Sequence, residues 1–453
     1  MQSSRWLSLK FGGVILKRFI SLFLLLSLCV FTAGCSTKET TNSNKSNFTY
    51  WCSFPMYAEG QIENLDEMIM YKEMEKLTGV HIDFIHPPTG KDSEQFNLLM
   101  AGGISKLPDM IEFSWGGYPG GADAAIKDGV ILDLSVLIDD YAPNLKKVLE
   151  ENEQYLKPIT TDSGKIYGFP VLNVGKYRTF GGIIIRQDWL NDLGLKMPET
   201  IDEWETTLRL FKEQKGASAP LALTKEHFTQ SNSFHFAGAF DTHHSDYIDN
   251  GVYKYPFLED NYVDYLRLMN KWYSEGLLDI EFDTNSLEVV DAKMTTGQSG
   301  VTYGYIGSTL GKYMNKMKMV DTSYSIAGAP FPVLNMGDTV RFAECQPEAS
   351  NMVVAITANC KDPVGAVKWL DFLYSPEGDR LKNFGVEGVT YNVIDGKCVY
   401  TDLILNNPNG LSISEAMAMN FRASAPAPGF NQNEDYLRQY YQLDEQRNAL
   451  ELW

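Results

Sequence analysis

The sequence predicts an α/β protein with two hydrophobic cores, assembled from strand–helix–strand units. Three observations carry this. The chain is 453 residues long, enough for two cores of ordinary size and long for one. Its folded part opens with a short aromatic strand, a stretch of helical spacing and a second strand, which is the order that makes parallel sheets. Single or paired glycines then close one helical stretch after another, as helix stops do.

Taken in order, the aromatic run 48–52 (FTYWC) reads as the first strand. Over 64–77, Leu65, Met68, Ile69, Met74 and Leu77 fall near helical spacing, stopped by Thr78-Gly79, and 80–85 (VHIDFI) alternates as a strand. A helix over 96–101 ends at Gly102-Gly103, and a strand over 108–113 runs into the glycine-rich loop 114–121. Helical stretches follow over 122–127 and 144–154, with a hairpin over 159–170 turning at Asp162-Ser163-Gly164. The continuous apolar run 181–186 (GGIIIR) has the composition of a buried strand, and the helix 187–193 is closed by Gly194. Thr200 and Glu203 form a capping box for a helix running to Lys215. Aromatics crowd over 220–256, including Phe234 and Phe236, where the periodic pattern weakens. Beyond lie a helix over 262–275, a strand over 300–305, a helix over 310–319 and a Pro-rich crossing at Pro330-Phe331-Pro332. The last part predicts a buried strand over 351–357, a helix over 363–374, a hairpin around Asp395-Gly396 and one terminal helix over 436–452.

Charge sets limits on partners. The chain holds 39 basic and 58 acidic side chains, a net −19. Four of the basic ones (Arg5, Lys10, Lys17, Arg18) lie in residues 1–34, which contain no acid. Subtracting those four from 39 leaves 35 basic against 58 acidic side chains, a net −23 on the remainder. Such a surface offers no basic footprint for phosphates, so a nucleic-acid partner is not expected. The leader carries a basic segment ending at Lys17-Arg18, a 13-residue apolar run over 19–31, then Thr32-Ala33-Gly34-Cys35. That run is short for a membrane span and suits a signal segment. Small residues before a cysteine resemble a bacterial lipoprotein cleavage box, in which Cys35 becomes the lipidated N-terminus; the other reading is a plain secretory signal with an incidental cysteine. Residues 36–47 are polar and read as a tether. The expected organisation is a signal peptide over 1–34 and a lipidated N-terminus with tether over 35–47.

No cofactor is indicated. The glycines after the third strand fit neither GxGxxG nor GxxxxGK[ST]. Cys52, Cys345, Cys360 and Cys398 are widely spaced without a CxxC pair, so free thiols and one or two disulfides both stay open. His243-His244 lacks metal-site spacing and reads as a polar loop, and no GxSxG elbow occurs.

Several segments together resemble a known family: LPDM at 107–110, GKIYGFP at 164–170, RQDWL at 186–190, PETIDEW at 198–204, DP at 362–363, AVKWLDFL at 366–373 and GVEGVTY at 385–391. In this order, behind the Cys35 leader, they make the chain similar to family 1 extracellular solute-binding lipoproteins of Gram-positive ABC importers, in particular the oligosaccharide and aldouronate type. The resemblance implies a two-lobed, periplasmic-binding-protein-like clamshell, each lobe a largely parallel sheet flanked by helices. By analogy lobe I takes 48–160 and 320–375, and lobe II takes 161–319 and 376–453. It also implies a monomer, anchored by lipid on the outer face of the cytoplasmic membrane, that captures an oligosaccharide for the permease subunits.

Sugars present apolar CH faces and rings of hydroxyls, which call for aromatics and for carboxylate, amide and guanidinium groups. On loops and strand ends the residues of this kind are Trp51, Trp115, Tyr118, Tyr177, Arg178, Trp272, Tyr303, Tyr305, Glu344, Glu387 and Tyr391. Trp189, Trp204 and Trp369 sit at apolar helical spacing and read as core. Arg178 suits either a ligand carboxylate, as on a uronate-bearing sugar, or a neighbouring Asp. A secreted carbohydrate-active enzyme and a protein-binding surface lipoprotein are the competing functions, and composition supports neither.

Overall fold

A computed structural model describes residues 46–229, 236–423 and 426–453. The leader, Cys35 and most of the tether lie outside the described residues, as do Phe234 and His235. The strands are β1 (Ser46–Trp51), β2 (Val80–Ile85), β3 (Met110–Ser114), β4 (Phe169–Asn173), β5 (Gly181–Arg186), β6 (Tyr247–Asp249), β7 (Val252–Lys254), β8 (Val301–Tyr305), β9 (Ile326–Gly328), β10 (Ala349–Ile356), β11 (Tyr391–Ile394), β12 (Lys397–Tyr400) and β13 (Gly429–Asn431).

A six-stranded sheet has the order β13-β4-β10-β3-β1-β2. Its β2-β1-β3 part is parallel, as the opening strand–helix–strand pattern predicts, with helices Ile69–Thr78 and Asp92–Ala101 making the crossovers. Gly79, at φ 70°, ends the first of these helices. β10 enters antiparallel between β3 and β4, and β13 lies parallel to β4 at the edge.

The second sheet is small, in the order β8-β5-β9, and both pairings are antiparallel. The expectation of a largely parallel sheet in each lobe is therefore corrected here. GGIIIR is fully buried and central, as its composition predicts, but an apolar run carries no information on the direction of its neighbours. Ile183 and Ile185 face a core with Trp189, Trp204, Phe211 and Trp272, while Ile184 faces the larger core. The capping box at Thr200 and Glu203 is present, and the helix Ile201–Lys215 ends at Gly216 with φ 70°.

β4, within 161–319, belongs to the six-stranded sheet, and β9, within 320–375, belongs to the small sheet. The chain passes between sheets over 174–180 and again over 329–348. These two crossings lie side by side: the Asn173 amide donates to the Glu348 carbonyl (2.8 Å) and the Gln346 amide donates to the Arg178 carbonyl (2.7 Å).

The single helix expected over 436–452 is two, Glu434–Tyr440 and Asp444–Leu452, separated where Tyr441 turns extended. The second packs on the small sheet. Trp453 donates from Nε1 to the Ala329 carbonyl at 2.8 Å. Its ring needs Gly182, where an added Cβ would stand 2.3 Å from it. Asn250-Gly251 and Asp395-Gly396 each turn a two-strand hairpin with both residues at positive φ. Among the described residues no helix is long and apolar enough to cross a membrane.

Candidate functional site

A cavity of about 440 Å³ lies where the two sheets meet. Pro55, Met56 and Tyr57, from the turn following β1, form one wall. Phe180, just before β5, and Tyr305, the last residue of β8, form the opposing wall, continued by Gly307 and Ser308 of the π-helical turn Ile306–Gly311. Such wide turns recur at functional sites. This one is supported from behind: Gln446, buried, donates from Nε2 to the Ile306 carbonyl at 3.0 Å.

The floor comes from the late chain. Asn431 ends β13 and Gln432 follows it, and the helix Glu434–Tyr440 turns Tyr436, Leu437 and Tyr440 toward the cavity at one-turn spacing, with Tyr441 following. Tyr440 and Tyr441 stand with ring centroids 5.0 Å apart, and the Tyr440 hydroxyl is 2.8 Å from Ser414 Oγ. Burial raises the Tyr436, Tyr440 and Tyr441 hydroxyls above the usual phenol range and keeps them protonated. Lys382 fixes this floor from below. Wholly buried, it donates to the carbonyls of Ala427 (2.8 Å) and Phe430 (3.0 Å) and to Asn431 Oδ1, and burial pulls its pKa down to about 7.

Among the described lining residues every polar group is a hydroxyl, an amide or backbone, and none is charged. Tyrosine faces and neutral hydrogen-bonding groups around one concave space can stack on a flat apolar face and bond hydroxyls at its edge. Among the described residues there is no cluster of three or more His, Cys, Asp or Glu placed to hold a metal ion.

Of the residues singled out from sequence, Tyr305 lines the cavity, 40 % exposed. Tyr303, two residues earlier on the same strand face, packs edge-on to Tyr305 and donates its hydroxyl to Glu344 Oε2. Glu344 is 2 % exposed, and burial pushes its carboxyl up to about 7. These three therefore sit together, Tyr305 at the surface of the cavity and the pair behind it.

The three tryptophans are buried among core residues. Trp51 lies on a strand paired on both sides and is covered by Phe96 and Phe113 (centroids 6.4 and 6.1 Å). Trp115 opens a 3₁₀ turn that folds its ring edge-on under Phe96, 5.5 Å away. Trp272, on helix Asp260–Ser274, packs edge-on to Phe236 and donates from Nε1 to Glu205 at 3.2 Å. In each case aromatic packing covers the ring that a ligand would need.

The remaining candidates are engaged elsewhere. The Tyr118 hydroxyl donates to Asp128 Oδ2 (3.0 Å). Tyr177 donates to Glu451 and accepts from Arg438 Nη2 at 2.9 Å. Arg178 pairs with a neighbouring acid at 3.4 Å, and this is Glu348, not the expected Asp. Glu387, exposed, and Tyr391, buried, line a separate cavity of about 260 Å³ with Arg380, Glu73 and Glu377. Tyr57, Phe180, Gln432, Tyr436, Tyr440 and Tyr441 were missed. Their one sequence signal was the polar run Asn431-Gln432-Asn433 beside a tyrosine-rich helix.

Comparisons with known proteins identify the family and the fold. The Bacillus subtilis lipoprotein LipO is 26 % identical over 431 residues, covering 87 % of this chain and 77 % of that protein. The fructooligosaccharide ABC transporter substrate-binding protein FusA of Streptococcus pneumoniae is 26 % identical over 389 residues, covering 79 % and 68 %. The crystal structure of the alginate-binding protein AlgQ2 superposes with a TM-score of 0.69 at 25 % identity, over 90 % of this chain and 82 % of that one. The fold is thus of the periplasmic-binding-protein-like kind. The family model for bacterial extracellular solute-binding proteins matches residues 61–380, and with most of its length so matched the chain belongs to that family.

Proposed function

We propose that the protein captures an oligosaccharide at the tyrosine-lined cavity and delivers it to the permease subunits of an ABC importer. The carrying observation is the cavity's position and lining. It lies between the ends of strands from two different sheets, with aromatic faces and neutral hydrogen-bonding groups converging on it. Family membership and the sugar-binding names of FusA and of the alginate-binding neighbour support the same reading.

In this proposal the six-stranded and three-stranded sheets are the cores of two lobes, and the paired crossings 174–180 and 329–348 are the hinge. Two antiparallel connections joined by hydrogen bonds bend together, so the lobes close on a ligand about one axis. The protein acts as a monomer without turning its ligand over. Cys35, after removal of residues 1–34, carries the lipid that holds it on the outer face of the cytoplasmic membrane; LipO's designation as a lipoprotein supports this.

Titration calorimetry and thermal shift against a panel of oligosaccharides, with chromatography of the sugar afterwards, test the capture. Saturable binding that raises the melting temperature and returns the sugar intact is expected. Cleaved sugar overturns the binder reading in favour of an enzyme, and silence toward every sugar overturns the carbohydrate reading. Cys35→Ser is expected to move the protein from the membrane to the soluble fraction.

A further inference from the structure

We infer that the cavity is built for an uncharged saccharide and that Gln432 is the residue that reads one of its hydroxyl groups. This rests on the carbohydrate reading above and narrows it.

Gln432 is 8 % exposed, lines the cavity, and has φ 65°, a left-handed conformation that costs a glutamine on the order of 1 kcal/mol. Its Oε1 is buried and has no hydrogen-bond partner among the described residues. Buried side-chain oxygens nearly always find a donor, so an unpartnered one on a cavity-lining residue with a strained backbone is a place where a ligand that displaces the side chain's cover supplies it. A sugar hydroxyl is such a donor. An ionised carboxylate has no proton to give and would set its own oxygens against the amide oxygen.

The charges around the site agree. A uronate brought into this cavity would need a cation, because an unpaired carboxylate is costly to desolvate. The described lining supplies none. Basic side chains beside these segments are committed to other partners, among them Arg178 with Glu348 and Lys312 with Asp291. Lys382 is spent on the carbonyls of Ala427 and Phe430 and on Asn431. Arg438 reaches Tyr177, and Arg422 lies 3.5 Å from the buried Glu112. The acidic excess of the chain as a whole also opposes the approach of a polyanion.

The test uses the full chain, solubilised in a polyoxyethylene detergent that carries no sugar headgroup. Affinities are measured by titration calorimetry for neutral tetrasaccharides (xylotetraose, mannotetraose, cellotetraose, nystose) and for tetragalacturonate and tetramannuronate. At least one neutral tetramer is expected to bind tenfold or more tightly than either uronate. Gln432→Gly, which suits the backbone while deleting the amide, is expected to lose about tenfold in affinity for that tetramer with its melting temperature kept. Should the glycine variant fold poorly, Gln432→Asn, tolerant of the same φ but one methylene shorter, is expected to lose severalfold. Uronates binding as tightly as the neutral sugars would overturn the charge inference and leave carbohydrate capture standing. Neutral binding unchanged in whichever variant folds would overturn the role of Gln432. Binding of neither class would overturn the carbohydrate reading itself, and this inference with it.

Discussion

The buried Glu344 makes the stability of this protein depend on pH in a way that one substitution isolates. Its carboxyl is 2 % exposed, accepts the Tyr303 hydroxyl at Oε2, and has Oε1 without a partner among the described residues. Burial outweighs that one bond and raises its pKa from 4.5 to about 7. The folded state therefore holds this proton where the unfolded chain releases it. Between pH 4.5 and 7 the native state binds more protons than the unfolded state, so stability falls as pH rises through that window. A displacement of that size corresponds to about 3 kcal/mol between the two limits. Gln imitates the protonated acid in shape and in having one carbonyl acceptor, so Glu344→Gln removes the penalty without removing the Tyr303 bond. Other buried groups titrate nearby: burial also raises Asp371 and Asp379, and lowers His227 to about 4. They act equally in both proteins and cancel in the difference. Urea unfolding of wild type and variant from pH 4.5 to 7.5 is the assay. The variant should match wild type at the acid end and exceed it by about 3 kcal/mol at the neutral end. A difference independent of pH would refute the reasoning, because it would place the carboxylate where water or a cation already compensates its charge.

Three further outcomes follow from the structure. Thr200→Ala removes the Oγ1 acceptor that caps helix Ile201–Lys215, and should lower stability by about 1 kcal/mol, read as a lower urea midpoint with unchanged slope. Arg422→Met leaves Glu112, fully buried, without its guanidinium, and should cost about 3–5 kcal/mol, of which Glu112→Gln in the same chain restores a part. Tyr305→Ala, at a ring already 40 % exposed, should leave the melting temperature nearly unchanged while weakening sugar binding about tenfold, measured by calorimetry.

Local signals in this chain were legible wherever the backbone alone decides the outcome. Thr200 and Glu203 announce a helix start because both hydrogen bonds of the box are made within four residues. Asp395-Gly396 announces a hairpin because few other pairs accept two positive φ values in succession. The parallel opening of the large sheet was legible for a related reason, since a helix between two strands leaves little choice of direction. Pairings between distant segments were not. β13, three residues of Gly-Phe-Asn, is a strand only because β4 presents a free edge to it, and β10 is antiparallel only because of where the chain returns from the small sheet. The break at Tyr441 escaped for the opposite reason: helical spacing runs on through it, and what stops the helix is the tertiary position of the helix Asp444–Leu452 against the small sheet.

The candidate site divides along the same line, and the tryptophans show why. A ring that must stack on a sugar and a ring that must fill a core have the same composition and the same neighbours in sequence. Trp51 and Trp115 stand at strand ends, where ligands bind in open α/β sheets, yet Trp51 is covered by Phe96 and Phe113 and Trp115 by Phe96, in each case by rings from another element. Tyr305 reaches the cavity because β8 ends there and the π turn leads the chain away, a fact about length and not about residue type. The tyrosines of the floor lie on a helix spaced like any amphipathic helix, and only the turn at Gln432 decides which face looks into the cavity. Tyrosine also suits the proposed lobe closure, in which the surface is wet when open and dry when closed, because its hydroxyl keeps a partner in either state. A core tryptophan at 0 % exposure has no such second state to serve. Under the proposed closure, the residues that change environment are therefore to be sought among half-exposed tyrosines and lone buried amides, and not among the largest rings.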